Sequence, residues 1–288
     1  MKDETSINNF FLSDGQTALP KLTHGSLFSG IGGFDLAAEW AGLENIFHCE
    51  WIESKQEILK RHFPNAESYH DIQQFDGTKY HRKIDIISGG FPCQDISIAN
   101  QSSKTKGAQG IKGERSGLWK HYARVVGEIR PGIIVFENSP MLLNRGLEVV
   151  LCDLHELGYD AEWRLFYASQ FGFPHIRERL YGVAYSRELG WQDNLKAGGI
   201  LQKILPERTP RQSPVSISLK RFNSKSSYAD VRMDDGFPKE LDKEVIHGFG
   251  NAIVPQIACE IFKAISLLYL EREGKKIINT VQTAHTNL

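Results

Sequence analysis

Thr23-His-Gly-Ser-Leu-Phe-Ser-Gly-Ile-Gly-Gly-Phe34 is the stretch that decides the fold. Its first half is a short apolar strand, its second half a glycine turn, and the residues that follow, Phe34-Asp-Leu-Ala-Ala-Glu-Trp-Ala-Gly42, carry a helical pattern. Glycines at such a turn permit a tight bend and let a ligand approach the backbone, and the start of the next helix offers unpaired amide hydrogens. Here they fall at Gly30, Gly32 and Gly33, which departs from the dinucleotide spacing G-x-G-x-x-G. Glu50 lies twenty positions past Gly30, at the end of the strand-like Asn45-Ile-Phe-His-Cys49, where an acidic side chain accepts bonds from ribose hydroxyls. An adenosyl group fits this pair of features.

Working outward, strand signals recur at about 24–28, 45–49, 84–88 and 132–136, with helical patterns near 33–42, 52–63 and 116–130 between them. That alternation predicts an α/β protein with a parallel sheet covered on both faces. The runs 160–168 and 179–184 are expected as late strands, a hairpin at the sheet edge, and Pro255–Leu270 as a helix with Ile257, Ile261, Ala264 and Leu268 on one stripe. Residues 1–21 read as a polar leader. Between Gly190 and Ser227 the periodicity gives way to Gly, Ser, Pro and basic residues, the mark of a loop-rich minor lobe.

The second informative stretch is Lys83-Ile-Asp-Ile-Ile-Ser-Gly-Gly-Phe-Pro-Cys-Gln94. Its apolar run is a buried strand, and Pro92-Cys93-Gln94 brings a cysteine nucleophile to the strand's open end, where α/β sheets gather reacting groups. The four cysteines, Cys49, Cys93, Cys152 and Cys259, are far apart, so neither a zinc site nor a disulfide framework is indicated, and no histidine pair has metal spacing. The 288 residues are 41% hydrophobic and 24% charged, ordinary for a soluble protein, with no run long enough for a membrane helix and no signal-peptide core. The expected compartment is the cytoplasm. Net charge is −1, yet residues 187–225 hold eight basic side chains against three acidic ones, and residues 101–124 six against one. Two local positive surfaces therefore flank the candidate site in sequence.

Taken together and in this order, the motifs resemble the cytosine-5 DNA methyltransferase family. Phe28-Ser-Gly-Ile-Gly-Gly33, Glu50-Trp51 and Asp71-Ile72 are similar to its cofactor motifs, and Pro92-Cys93-Gln94 to its nucleophile motif. Arg115-Ser-Gly-Leu118 resembles the segment after the catalytic loop, and Phe136-Glu137-Asn138 the glutamate-asparagine motif. Pro174-His-Ile-Arg177-Glu-Arg179-Leu-Tyr181 resembles the paired-arginine motif, and Gly250-Asn251-Ala252-Ile-Val-Pro255 the late motif that returns to the cofactor. Ser139 stands where valine is usual, a change expected to touch packing only, and His175 where glutamine is usual.

The resemblance implies a Rossmann-like methyltransferase fold using S-adenosylmethionine, with S-adenosylhomocysteine as product. Its catalytic and cofactor domain would span 22–185, a small target-recognition region 186–244, and a C-terminal segment, 245–288, would return to the first. It assigns Cys93, Glu137, Arg177 and Arg179 to catalysis, Arg179 to the base pocket. To the cofactor it assigns Phe28, Gly30, Gly32, Gly33, Glu50, Trp51, Asp71, Ile72, Pro92, Leu118, Asn251 and Ala252, and to a metal none. The partner is double-stranded DNA, with a cognate restriction endonuclease a candidate partner in the cell.

Carbon 5 of cytosine is a poor nucleophile, so the chemistry needs Cys93 to add at carbon 6 first. Glu137, at the end of a buried strand, is expected to have a raised pKa and to share a proton with ring nitrogen 3. Arg177 and Arg179, two apart on an extended segment, are expected to point the same way. The target base must leave the duplex, and Asp95–Gly117, lysine-bearing and punctuated by Gly107, Gly110 and Gly113, suits a moving lid.

Other readings stay open. A tRNA cytosine-5 methyltransferase would share the fold and chemistry, and an inactive cofactor-binding DNA-binding protein would share the fold but is expected to lack Cys93 or Glu137. A flavin or nicotinamide oxidoreductase is disfavoured by the glycine spacing. Singly, Cys93 reads as a buried thiol, Glu137 as a strand-end carboxylate, the arginines as surface ion-pair formers, and Asp71 as a helix cap.

Overall fold

The computed structural model describes residues 21–92, 117–173, 176–191, 198–204 and 253–286, with side chains as far as Arg272. The polar leader to residue 20, Cys93, the loop 95–116 with Arg115, Pro174, His175, most of 186–244, Asn251 and Ala252 lie outside the described residues. In chain order the elements are β1 (Thr23–Leu27), α1 (Gly33–Trp40), β2 (Glu44–Cys49), α2 (Glu53–His62), β3 (Glu67–Tyr69), β4 (Ile86–Gly89), α3 (Leu118–Ile129), β5 (Ile133–Asn138), α4 (Leu142–Arg145), α5 (Leu147–Glu156), β6 (Tyr159–Tyr167), β7 (Glu178–Ser186), α6 (Gly199–Lys203) and α7 (Pro255–Thr286).

The strands form one sheet of seven in the order β3-β2-β1-β4-β5-β7-β6. The first five are parallel, and β7 runs antiparallel between β5 and β6, so the late pair is a hairpin at the edge as expected. Alternate residues of each inner strand feed opposite faces, the two-residue period of an extended chain. Ile133 and Val135 join the core under α1, α6 and α7, while Ile134 and Phe136 join the core under α3 and α5. Each such fully buried aliphatic or aromatic side chain contributes roughly 1.5–3 kcal/mol, and both faces are filled this way. The result is the Rossmann-like, doubly wound α/β arrangement.

α3 shows how sequence pattern becomes position. Trp119, Tyr122, Val125, Val126 and Ile129 recur at helical spacing and are all buried, and Arg130 ends the helix in a left-handed conformation. α7 begins where predicted but runs on to Thr286, well past Leu270. Besides Ile257, Ile261 and Leu268 it buries Ala258, Phe262 and Ile265 against the first core, whereas Ala264 is only partly buried. α5 and the three-residue β3 are not visible as separate patterns in the sequence.

The direction of winding reverses at β1, which has β2 on one side and β4 on the other. In open α/β sheets the crevice beyond the carboxyl ends of the strands at such a reversal is where ligands bind.

Candidate active site

The strand register sets the geometry. Tyr69, Cys49, Leu27, Gly89, Phe136 and Gly182 lie side by side across six strands. One residue beyond this rung, on the same edge of the sheet, stand Glu50, Phe28, Gly90 and Glu137, with Tyr181 opposite Glu137. Motifs spread over more than a hundred residues of sequence thus end at one level.

At the β1–β2 end, the chain leaves Leu27 through three positive-φ residues, Phe28 at 53°, Gly30 at 59° and Gly32 at 86°, before α1 begins. The Gly30 amide donates to Glu50 Oε2 at 2.7 Å and the Ile52 amide to Glu50 Oε1 at 2.9 Å. Glu50 is buried, so two backbone hydrogen bonds hold the turn and the acidic side chain as one unit. The glycines differ in purpose. A Cβ on Gly30 would meet nothing within 4 Å, so this residue borders open space; one on Gly32 would strike the Phe63 ring at 2.6 Å, so that residue admits α2. Gly33 is crossed closely by Ile253, where a Cβ would lie 2.6 Å from the isoleucine side chain. The described residue nearest in sequence to Asn251 and Ala252 therefore rests on the start of α1.

Trp51, next to Glu50, is 64% exposed and stacks on His70 at 4.6 Å between ring centroids. It is a solvent-facing aromatic plate at the rim of the same space. Asp71 is committed differently: Oδ1 accepts from the Gln73 amide at 2.8 Å and Oδ2 from the Gln74 side chain at 3.1 Å, so its carboxylate closes the turn after β3. Ile72 is buried, and its carbonyl accepts from Arg124 of α3 at 2.6 Å. Leu118, the first residue of α3, packs half-buried on the same core.

At the β4–β5 end, the Glu137 carboxylate lies against Gly90, where a Cβ would come within 3.1 Å of Oε2. Asn138 donates through Nδ2 to the Phe91 carbonyl at 3.2 Å and accepts from the Ser139 amide at 2.8 Å, which ties the two strand ends together just before Pro92. Ser139 does more than pack, because its hydroxyl accepts from the Met141 amide at 3.3 Å at the entry to α4. Half-buried Pro92 is the last described residue of this segment, next in sequence to Cys93.

Glu137 is 7% exposed and pairs with Arg179, Nε to Oε1 at 3.1 Å. Burial pushes its pKa up to about 7, while the guanidiniums of Arg179 and Arg177 pull the other way. The carboxyl group thus exchanges its proton near neutrality. The extended segment expected through both arginines does not hold at Arg177. That residue precedes β7 with φ 24° and its carbonyl accepts from the Ala168 amide, so only Arg179 is carried by the strand. Of the other cysteines, Cys49 is buried and its thiol pushed up to about 12, chiefly by burial, and Cys259 is raised for the same reason. Neither suits a thiolate nucleophile.

Sequence reasoning missed the polar network under the glycine turn. Ser26 Oγ donates to Asp35, 2.8 and 3.0 Å from its two carboxylate oxygens, and lies 2.6 Å from Ser29 Oγ, which accepts in turn from the Cys49 amide at 3.2 Å. Beside it His24 bonds Asn45 at 2.6 Å and Ser88 at 2.7 Å, and Asn45 donates to the Asp35 carbonyl at 2.9 Å. Asp35 and His24 are wholly buried, which lifts the first to about 7 and lowers the second to about 4. The available signals were a serine in an apolar strand and an aspartate on the apolar opening of α1. Among the described residues no cluster of His, Cys, Asp and Glu is arranged to hold a metal ion, and no helix is long and apolar enough to cross a membrane.

A family profile described as C-5 cytosine-specific DNA methylase matches residues 22–244. Type II methyltransferase M.HhaI of Haemophilus parahaemolyticus is 34% identical over 58% of this chain and 50% of its own length. M.Sau3AI of Staphylococcus aureus is 33% identical over 62% and 47%, and M.Eco47II of Escherichia coli 31% over 74% and 52%. The chain spans about half the length of the curated relatives it matches. Among solved structures, Dnmt2 methyltransferase of S. pombe aligns with a TM-score of 0.46 at 19% identity, over 57% of this chain and 49% of that one.

Proposed function

We propose, from the premise that this chain belongs to the C-5 cytosine-specific DNA methylase family, that it transfers a methyl group from S-adenosylmethionine to carbon 5 of a cytosine flipped out of duplex DNA. The observation that carries the reading is the shared level of Glu50, Phe28, Gly90 and Glu137 beyond one rung of the sheet. It draws the adenosine-type turn, the strand end leading to Cys93 and a carboxyl group of raised pKa into one crevice.

The residues fit the donor. Open space at Gly30, the Glu50 carboxylate beneath it and the exposed Trp51 ring offer a backbone approach, an acceptor for ribose hydroxyls and a plate for adenine. When bound, S-adenosylmethionine supplies an electrophilic methyl group on sulfur. Cys93 thiolate forms a bond to carbon 6, and the electrons of the 5,6 double bond move into the ring as nitrogen 3 takes a proton from Glu137. Carbon 5 would then take the methyl group as its bond to the donor sulfur breaks and leaves a thioether; loss of the carbon 5 proton to a base expels the Cys93 thiolate from carbon 6, and nitrogen 3 returns its proton to Glu137. Arg179 orients Glu137 and, with Arg177, offsets the charge that remains on it. Asn138 holds the Phe91 carbonyl and so steadies the approach to Pro92 and Cys93.

The basic stretches 101–124 and 187–225 hold phosphates, and residues 186–244 read the target. Double-stranded DNA is the substrate in the cytoplasm, with a cognate restriction endonuclease as the proposed cellular counterpart. Transfer of labelled methyl groups to duplex DNA, but not to tRNA, is the expected result, abolished by Cys93→Ser with cofactor binding retained. Transfer to tRNA alone, to neither, or undiminished in Cys93→Ser would overturn the reading.

A further inference from the structure

An aromatic cluster links the glycine turn, the strand end before Pro92 and Glu137. Phe28 precedes the glycine turn, Phe91 comes two residues before Cys93, and Phe136 directly precedes Glu137. Each of the three rings meets one or both of two side chains in the first turns of α3, Trp119 and Tyr122, which are themselves buried and stacked at 5.2 Å and 17°. Phe28 stacks on Tyr122 at 6.5 Å and 6°. Phe91 tilts against Trp119 at 4.9 Å and meets Tyr122 edge-on at 6.2 Å. Phe136 is edge-on to Trp119 at 6.5 Å and tilted to Phe91 at 6.4 Å.

The hub is fixed from behind. Trp119 Nε1 donates to Asp153 of α5 at 2.7 Å, the one hydrogen bond an indole can give. Tyr122 is wedged so close to β4 that a Cβ on Gly89 would come within 2.7 Å of its ring. Aromatic rings at these separations have preferred mutual orientations and transmit displacement, since a close-packed interior has no slack to absorb it.

We propose that Trp119 and Tyr122 are positioning residues, a hub that sets the glycine turn, the approach to Cys93 and Glu137 at a common level through Phe28, Phe91 and Phe136. The inference rests on the methyltransferase reading of the site and adds what holds its parts in register. Neither hub residue touches a reacting atom. Their effect falls on the alignment of donor, base and acid, so turnover responds more than cofactor binding.

The test compares Trp119→Leu and Trp119→Phe with the wild type in methyl transfer to duplex DNA, at a temperature where circular dichroism shows each fully folded. Misalignment by about an ångström costs up to ~100-fold; Trp119→Leu is expected to lose about 10- to 100-fold in kcat with cofactor KM within ~3-fold. Trp119→Phe restores most of the rate. A purely structural role would lower Tm and leave kcat of the folded protein unchanged, and that result would overturn the proposal. Should Trp119→Leu fail to fold, Phe91→Leu, which removes the ring relaying the hub to the β4 end, carries the same criteria. A wild-type protein without transfer activity would instead strike at the methyltransferase reading.

Discussion

Glu50 and Glu137 are the same residue type, equally buried at 7% exposure, each one residue past or at the end of a parallel strand, yet the fold puts them to opposite uses. Both carboxylate oxygens of Glu50 accept backbone amides, from Gly30 and Ile52, so it is part of the architecture of the turn. Glu137 faces a strand end and two guanidiniums, and burial lifts its pKa to about 7. Burial alone does not tell an organising carboxylate from a reactive one. The partners do: two backbone amides occupy both oxygens of Glu50, whereas Glu137 meets a guanidinium on one oxygen and the Gly90 strand end on the other.

The contrast can be broken by exchange of single atoms. Glu137→Gln keeps the shape and removes the titrating proton, and the expected loss in methyl transfer is about 10²- to 10⁴-fold, as for removal of a general acid, with S-adenosylhomocysteine affinity, measured by calorimetry, changing little. Glu50→Gln should do the reverse. Weakening charge-assisted bonds of ~1.5–3 kcal/mol predicts a cofactor Kd about 10- to 100-fold higher, with kcat at saturating cofactor close to wild type. If both variants fell in the same parameter, the division of labour would be wrong.

The pH dependence sharpens the same point. With its pKa near 7, Glu137 is protonated below neutrality, so the step that needs its proton slows as pH rises through 7. Wild-type single-turnover rates should show this limb and Glu137→Gln should lack it.

The smallest effect concerns Asp35. Burial raises its pKa from 3.8 to about 7, so the folded state binds the proton more tightly and the stability gained is full below about pH 4 and lost as pH rises through 7. Asp35→Asn stays neutral throughout. Its Tm relative to wild type should climb between about pH 4 and 7 and level off above that, by several degrees at ~2–4 °C per kcal/mol for a chain of this size class. His24 and His48, lowered to about 4 by burial, have the opposite slope below 6.5 but are common to both proteins and cancel in the difference.

Much of this was legible in the sequence because it rests on local pattern. The strand before Phe28, the turn at Gly30, the buried run ending at Gly89 and the apolar face of α3 are all periodicities within one element. The level shared by Glu50, Phe28, Gly90 and Glu137 was not, since register between strands is set by tertiary packing. Asp71 shows what a motif leaves out: its carboxylate also serves the turn after β3. Arg177 shows the same for backbone, bent at φ 24° where an extended residue was expected. Asp35 and Ser26 stayed hidden because a buried polar pair looks in sequence like two breaks in an apolar pattern.

The most direct measurement uses duplex DNA with 5-fluorocytosine at a methylated site, mixed with the protein and S-adenosylmethionine and analysed by mass spectrometry. Fluorine on carbon 5 leaves no proton to lose after methyl transfer, so a covalent route stops at a stable protein–DNA adduct. The predicted result is an adduct on the peptide containing Cys93, formed by wild type and absent from Cys93→Ser. Methylated cytosine in ordinary duplex with no adduct on the fluorinated one, or an adduct at another residue, would contradict the account.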